Sequence, residues 1–203
     1  MLYRQELQKE RIRQVLTRYG VIFRRFLQDE LPMNQWASLF RTLRLMELSG
    51  EIIRGLFFDG IEGPHFTTPE AFQLLKDGLD EKRFYWMNAC DPISPCGQWM
   101  KSVFPHLPQR QPTTHIVFQG TVPFLISRKK GRELEFRVPP DSPLIMRCID
   151  FFSAMLDRKV MPWKSVQVES IKGDKPETSP YSPMLEAHGF LKDYRRLILR
   201  GGC

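Results

Sequence analysis

Residues 18–58 read RYGVIFRRFLQDELPMNQWASLFRTLRLMELSGEIIRGLFF, and the fold turns on them. Within this stretch, Asn34–Leu48 sets Trp36, Leu39, Phe40, Leu43 and Met46 at helical spacing, on one face. Ser38, Arg41 and Arg44 fall on the opposite face, about one turn apart and so in line. Gly50 follows where a left-handed residue ends a helix. The run EIIRGLFF, the turn-rich DGIEGP and then HFTTP predict a two-stranded wing that turns at Gly60 and Gly63. Upstream, Met1–Arg18 is predicted helical with Leu7, Ile12, Val15 and Leu16 inward. Tyr19-Gly20 breaks it, and Val21–Leu31 is predicted to resume as helix with Ile22, Phe23 and Phe26 inward and Arg24 and Arg25 outward. Helices followed by a β-wing make a winged helix, a form of helix-turn-helix. That fold serves nucleic acid or another protein, and the fold alone does not choose.

Beyond the wing, Thr68-Pro69-Glu70 is a helix start: a hydroxyl cap, a proline in the first turn and an acid at the positive end of the dipole. That helix offers Phe72, Leu75 and Leu79 for burial. The domain boundary is expected at Asp80–Arg83, giving a winged helix over 1–82 and a second domain over 83–203. The second half changes character. Phe84–Ala89, Thr113–Gln119, Val122–Arg128 and Glu133–Val138 are strand candidates, the middle two forming a hairpin. Lys129-Lys130-Gly131-Arg132 is a basic turn. Pro143–Lys159 is a helix apolar over most of its circumference, which must be covered by its own domain or a neighbour. Trp163–Ile171 reads as one further strand. The expected class is α+β: a winged helix followed by a small, mainly antiparallel β-barrel-like domain with packed helices.

The chain has 203 residues, a formal net charge of +7 and a pI near 9.4. Residues 1–83 hold 13 Lys/Arg against 12 Asp/Glu, whereas 84–203 hold 17 against 11, so the basic surplus lies in the second half. A polyanion is the partner this balance favours. No signal peptide and no membrane-spanning apolar run is read, so a cytoplasmic, nucleoid-associated protein without a membrane partner is expected. Cys90, Cys96, Cys148 and Cys203 form no CxxC pair and are expected to stay reduced. Cys90, Cys96, His106 and His115 fit no zinc spacing, and no metal or cofactor is expected.

RYGVIFRRFL, MELSGEIIRGLFFDGIEGPHFTTPEAFQLL, NACDPISPCG and SPMLEAHGFLKDYRRLILR occur in that order along nearly the whole chain. Together they resemble the Lhr (large helicase-related) family. Leu56, His65 and Ser94 stand where the family pattern has Gly, Gln and Asn. The resemblance implies a winged helix and β-barrel module from a DNA helicase that moves along single-stranded DNA and unwinds RNA–DNA and DNA hybrids. Neither a GxxxxGK[ST] phosphate loop nor a DExH box is present, so this chain has no basis for ATP hydrolysis of its own. It is expected to be a piece of a longer helicase or a split relative, with the helicase's remaining domains as partners. The resemblance also implies a region similar to AlkZ-type DNA glycosylases, self-associating and linked to uracil removal.

Base excision needs a carboxylate or positioned water beside an extruded nucleotide. Asp29, Asp91, Asp150 and Asp193 are candidates, and Asp91, in a family-like Asp-Pro motif, leads; its bland alternative is a turn carboxylate. No serine or cysteine sits in a nucleophile elbow, and the four histidines are scattered. Phosphate contact is expected from Arg24, Arg25, Arg41 and Arg44 in the winged helix, and from Arg128, Lys129, Lys130 and Arg132 in the hairpin. Phe84, Tyr85 and Trp86 are either stacking platforms or, more commonly, core. Three functions follow: a helicase accessory module that binds single-stranded or duplex DNA or an RNA–DNA hybrid; a DNA repair glycosylase acting with upstream winged helices; and an oligomerisation module using helix 143–159.

Overall fold

Gly20 ends the first helix. Its φ of 75° is left-handed, and its N–H donates to Leu16 O at 2.7 Å. The chain then leaves the helix for an extended, fully buried Val21-Ile22-Phe23 strand. The computed structural model describes residues 2–29, 31–78, 80–97 and 104–201. It divides into two compact units, Met1–Leu79 and Asp80–Cys203.

The first unit runs α1 (Leu2–Tyr19), β1 (Val21–Phe23), α2 (Trp36–Leu48), β2 (Ile53–Gly55), β3 (His65–Thr67) and α3 (Pro69–Asp77). A 3-10 turn spans Phe26–Asp29. Val21–Leu31 is therefore not the helix expected of it. β-Branched Val21 and Ile22 join an antiparallel sheet of order β1-β3-β2, with Val21 opposite Thr67 and Ile53 opposite Thr67 on the other side. Thr67 Oγ1 locks the corner by donating to Gly20 O at 2.7 Å.

α2 buries Leu39, Leu43 and Met46 completely, against Ile12, Leu16, Ile22 and Phe66. Each such side chain contributes roughly 1.5–3 kcal/mol. Phe40, expected on that face, is exposed. The helix ends in a Schellman motif: Glu51 N–H donates to Met46 O at 2.9 Å and Gly50 N–H to Glu47 O at 3.0 Å. Thr68 caps α3, its hydroxyl accepting from Ala71 N–H at 3.2 Å. Of the residues expected to bury α3, Phe72 is half-buried, Leu75 is exposed and Leu79 lies outside the described residues.

The second unit holds β4 (Phe84–Asn88), β5 (His115–Gln119), β6 (Val122–Arg128), β7 (Glu133–Phe136), α4 (Ile145–Leu156), β8 (Ser165–Val168), β9 (Ser170–Ile171), α5 (Ser182–Ala187), β10 (Leu191–Asp193) and β11 (Arg196–Arg200). Its strands make two open sheets among the described residues, ordered β4-β5-β6-β7-β9 and β10-β11-β8. They do not close into the expected barrel. The reason lies at Glu169. Trp163–Ile171 is not one strand: β8 pairs antiparallel with β11, while β9 turns to run parallel with β7. Glu169 and Ser170 N–H both donate to Arg132 O, at 2.7 and 3.0 Å, so the chain changes sheets there.

α4 buries Ile145, Cys148, Ile149, Phe151, Phe152, Met155 and Leu156 within its own unit, against Val117, Leu125, Leu134, Phe136, Val166 and Phe190. What it leaves exposed includes Arg147, Asp150, Asp157 and Arg158 around its end. The apolar helix proposed for self-association is thus already covered. The other face of the larger sheet forms a smaller cluster of Ala89, Cys96, Ile116, Phe118 and Ile126.

Candidate nucleic-acid interface

In the second unit the basic turn is built by backbone geometry that lysine does not favour. Lys129 and Lys130 both have left-handed φ, 51° and 56°, and Gly131 follows at 91°. Such residues are held only where the surroundings over-determine them. Three contacts do so here. Lys130 N–H donates to Thr113 O at 2.9 Å. Lys129 Nζ pairs with Glu133 at 2.6 Å. Gly131 is buried so closely on β8 that a Cβ would stand 2.5 Å from Val166 Cγ1. The turn is thereby pressed onto β8 and opens a cleft of about 380 Å³ lined by Thr113, Lys129, Lys130, Arg132, Ser165 and Gln167.

Within this cleft the Lys130 side chain makes no hydrogen bond or ion pair among the described residues, and Arg132 reaches Glu169 only at 4.0 Å. Hydroxyl and amide groups beside Lys130 and the loosely held Arg132 suit a phosphodiester backbone. Arg128, expected with them, is instead tied to Glu135 at 2.8 Å. Burial would raise the Glu135 carboxyl, but hydrogen bonds from Arg128 and Arg137 hold it below its usual value.

In the first unit, Arg24 and Arg25 share a cleft of about 380 Å³ with Gln28 and the wing-turn residues Gly60, Ile61 and Glu62. Arg41 is exposed on α2, while Arg44 is bound by Glu47 one turn on. The structure therefore brings two of these four arginines together, and pairs a third with an acid.

The wing itself is closed by His65. Its Nδ1 accepts from Phe57 N–H at 2.8 Å, which leaves Nε2 protonated to donate to Ile61 O at 3.2 Å. Burial keeps this imidazole below its usual pKa. The ring also sits among Phe23, Phe57 and Phe58.

Residues 3–86 match the family model described as large helicase-related protein, winged-helix domain. The chain carries an Lhr winged-helix domain. No curated protein matched it in a search. The departures from the Lhr pattern now have structural readings. Leu56 is exposed on the wing, His65 is the wing's internal clip, and Ser94 is a buried turn residue whose hydroxyl accepts from Cys96 N–H at 3.3 Å. Asp91 belongs to the same turn: its Oδ1 accepts from Ile93 N–H at 3.0 Å, and its carbonyl accepts from Arg110 Nη2 at 2.9 Å.

Of the other carboxylates, the Asp29 side chain lies outside the described residues and Asp193 is exposed in β10. Asp150 enters an arrangement that no sequence motif announced. Ser153 Oγ lies 3.0 Å from His188 Nε2, and His188 Nδ1 lies 3.8 Å from Asp150 Oδ1. Asp150 is 64 % exposed, so the contact is screened. Its clear effect is to tie the end of α5 to α4.

Burial drives the Cys96 thiol up and the Cys148 thiol up to about 12, so both stay protonated and unreactive. Cys203 lies outside the described residues. No three His, Cys, Asp or Glu side chains gather into a metal-binding group, and no helix is long and apolar enough to cross a membrane, among the described residues. Trp86 is 44 % exposed with its ring edge on Phe151, while Tyr85 stacks on Phe118 and Phe84 meets Phe124 edge-to-face, so these aromatics are mainly packing.

Proposed function

We propose that this chain is a nucleic-acid-binding accessory module of an Lhr-type helicase, working in DNA repair beside a motor supplied by other domains. The observation that carries the reading is the cleft of Lys129, Lys130 and Arg132, in a chain whose first unit is an Lhr winged-helix domain. A left-handed lysine pair wedged against β8 presents cations in a fixed place, and phosphate is the ligand that such an array meets without reading sequence. The Arg24–Arg25 cleft beside the wing is a second, weaker phosphate contact.

Fluorescence anisotropy with labelled single-stranded DNA, duplex DNA and an RNA–DNA hybrid at two salt concentrations tests this. Binding should weaken steeply with salt, and Lys129→Ala with Lys130→Ala should lower the log–log salt slope by about one, Lys129 being already paired with Glu133. An unchanged slope in that variant, or no binding at low salt, would sink the proposal. A uracil-containing strand treated with alkali in the same series tests base excision; cleavage there would put Asp91→Asn first among the variants to make.

A further inference from the structure

Between α4 and β8 the chain reads Asp157-Arg158-Lys159-Val160-Met161-Pro162-Trp163-Lys164. At its tip Val160 is 71 % and Met161 83 % exposed. A lone exposed apolar residue means little. This pair is unusual in being held out. Met161 has a φ of 50°, in the left-handed region, and precedes a proline, which disfavours helical backbone on the residue before it. The loop is pinned on both sides of the tip. Asp157 N–H donates to Ser153 O at 2.9 Å, and Trp163 N–H donates back to Met155 O at 3.0 Å. The Trp163 ring lies edge-on to His115 at 5.4 Å and to Phe151 at 6.0 Å. The tip is thus a short, stiff projection.

Its surroundings say what it meets. Arg158, Lys159 and Lys164 are exposed around it, and neither Lys159 nor Lys164 has a side-chain partner among the described residues. One residue past Lys164 begin Ser165 and Gln167, which line the cleft of Lys129, Lys130 and Arg132. Cations that would hold a phosphate backbone are continuous with a rigid apolar point. We infer that Val160 and Met161 form a wedge that inserts between the bases of a strand held in that cleft. The inference rests on the nucleic-acid reading above. Its chemistry is that of apolar side chains entering a base step, with flanking cations on the phosphates to either side.

The test uses the full chain and single-stranded DNA carrying 2-aminopurine, whose emission rises when it unstacks. Anisotropy reports binding, and emission reports insertion. The wild-type chain should bind and raise the emission. Val160→Ser with Met161→Ser should bind about tenfold more weakly, keep the salt slope and lose the rise. Met161→Leu, which keeps an apolar point, should retain it. Both serine positions are exposed, so the thermal midpoint should not move. Binding without any emission change, or a rise that survives the double serine change, overturns the wedge and leaves the accessory-module reading standing. No binding at low salt overturns both. Capture on phosphatidylglycerol vesicles that the double change abolishes, with DNA affinity untouched, assigns the tip to a membrane surface and also overturns it.

Discussion

Each unit buries a histidine, and the two are accommodated in opposite ways. His65 in the winged helix has both nitrogens bonded inside the wing it closes. His115 in the second unit faces Asn88 Nδ2 at 3.1 Å through Nε2, while its Nδ1 is buried without a partner among the described residues, as is Ser127 Oγ directly across the β5–β6 pair. Buried polar groups are ordinarily satisfied, and one left open costs about 1–3 kcal/mol. The first unit thus satisfies its buried imidazole within the wing. The second tolerates cost in its interior and strain at its surface, at Lys129, Lys130, Met161, Lys172 and Tyr194. Strain and unsatisfied groups collect where a protein works, and that is also where the basic surplus lies.

The sharpest way to break this contrast is to make the same substitution in both units. Gly131→Ala would add a Cβ 2.5 Å from Val166 on a left-handed backbone, whereas Gly50→Ala meets the same backbone penalty in open space. Urea unfolding should show a loss of about 3 kcal/mol or more for Gly131→Ala and about 1 kcal/mol for Gly50→Ala. Equal losses would mean that the basic turn is not pressed onto β8.

The histidines themselves give the next effect. Burial, with the Arg158 charge adding, pushes His115 down to about 4, against about 6.5 in the unfolded chain. Between those values the unfolded state binds more protons, so stability falls as the pH drops through 6.5 and levels off near 4. The loss should total about 3 kcal/mol. Urea midpoints taken from pH 7 to pH 4 check it, and His115→Phe should flatten the profile between them. A profile as steep in that variant would trace the loss to other groups. His65, also lowered by burial, adds a smaller loss of the same sign.

His65→Ala should cost about 2 kcal/mol, because Phe57 N–H and Ile61 O lose their partner at the base of the wing. Faster amide exchange or proteolysis confined to residues 56–64 would show that the clip holds the wing. Uniform loosening of the first unit would show that it holds the core instead.

What was legible in the sequence was local. The α2 face, its glycine stop, the Thr68 cap and the β5–β6 hairpin each announce themselves within a few residues. What was missed depended on distant partners. β1 is three residues long and looks helical in isolation; only Phe66 and Thr67, more than forty residues on, make it a strand. The break at Glu169 follows from a carbonyl on Arg132. At the site, composition pointed to the Lys129–Arg132 turn. It could not show that Arg128 is neutralised by Glu135, that Gly131 sets the turn's depth, or that an imidazole would serve the wing as a clip. An exposed Val-Met pair carries no pattern at all until the loop that holds it is seen.

The smallest expected effect asks which unit's cations meet the nucleic acid. Lys130 and Arg41 are both exposed, and neither side chain has a partner among the described residues. A cation seated on a phosphate releases about one counterion, so its removal should lower the salt slope by about 0.9 and cost about 1 kcal/mol at low salt. A cation that is merely solvated should do neither. Lys130→Ala is expected to show the full change in slope and Arg41→Ala little of it. The α2 face beside Arg41 also exposes Leu45 and Leu48, a surface better suited to a protein neighbour than to phosphate. Were Arg41→Ala to carry the larger change, the winged helix would be the reader and the second unit its support, and the assignment of cost to the working surface would be inverted.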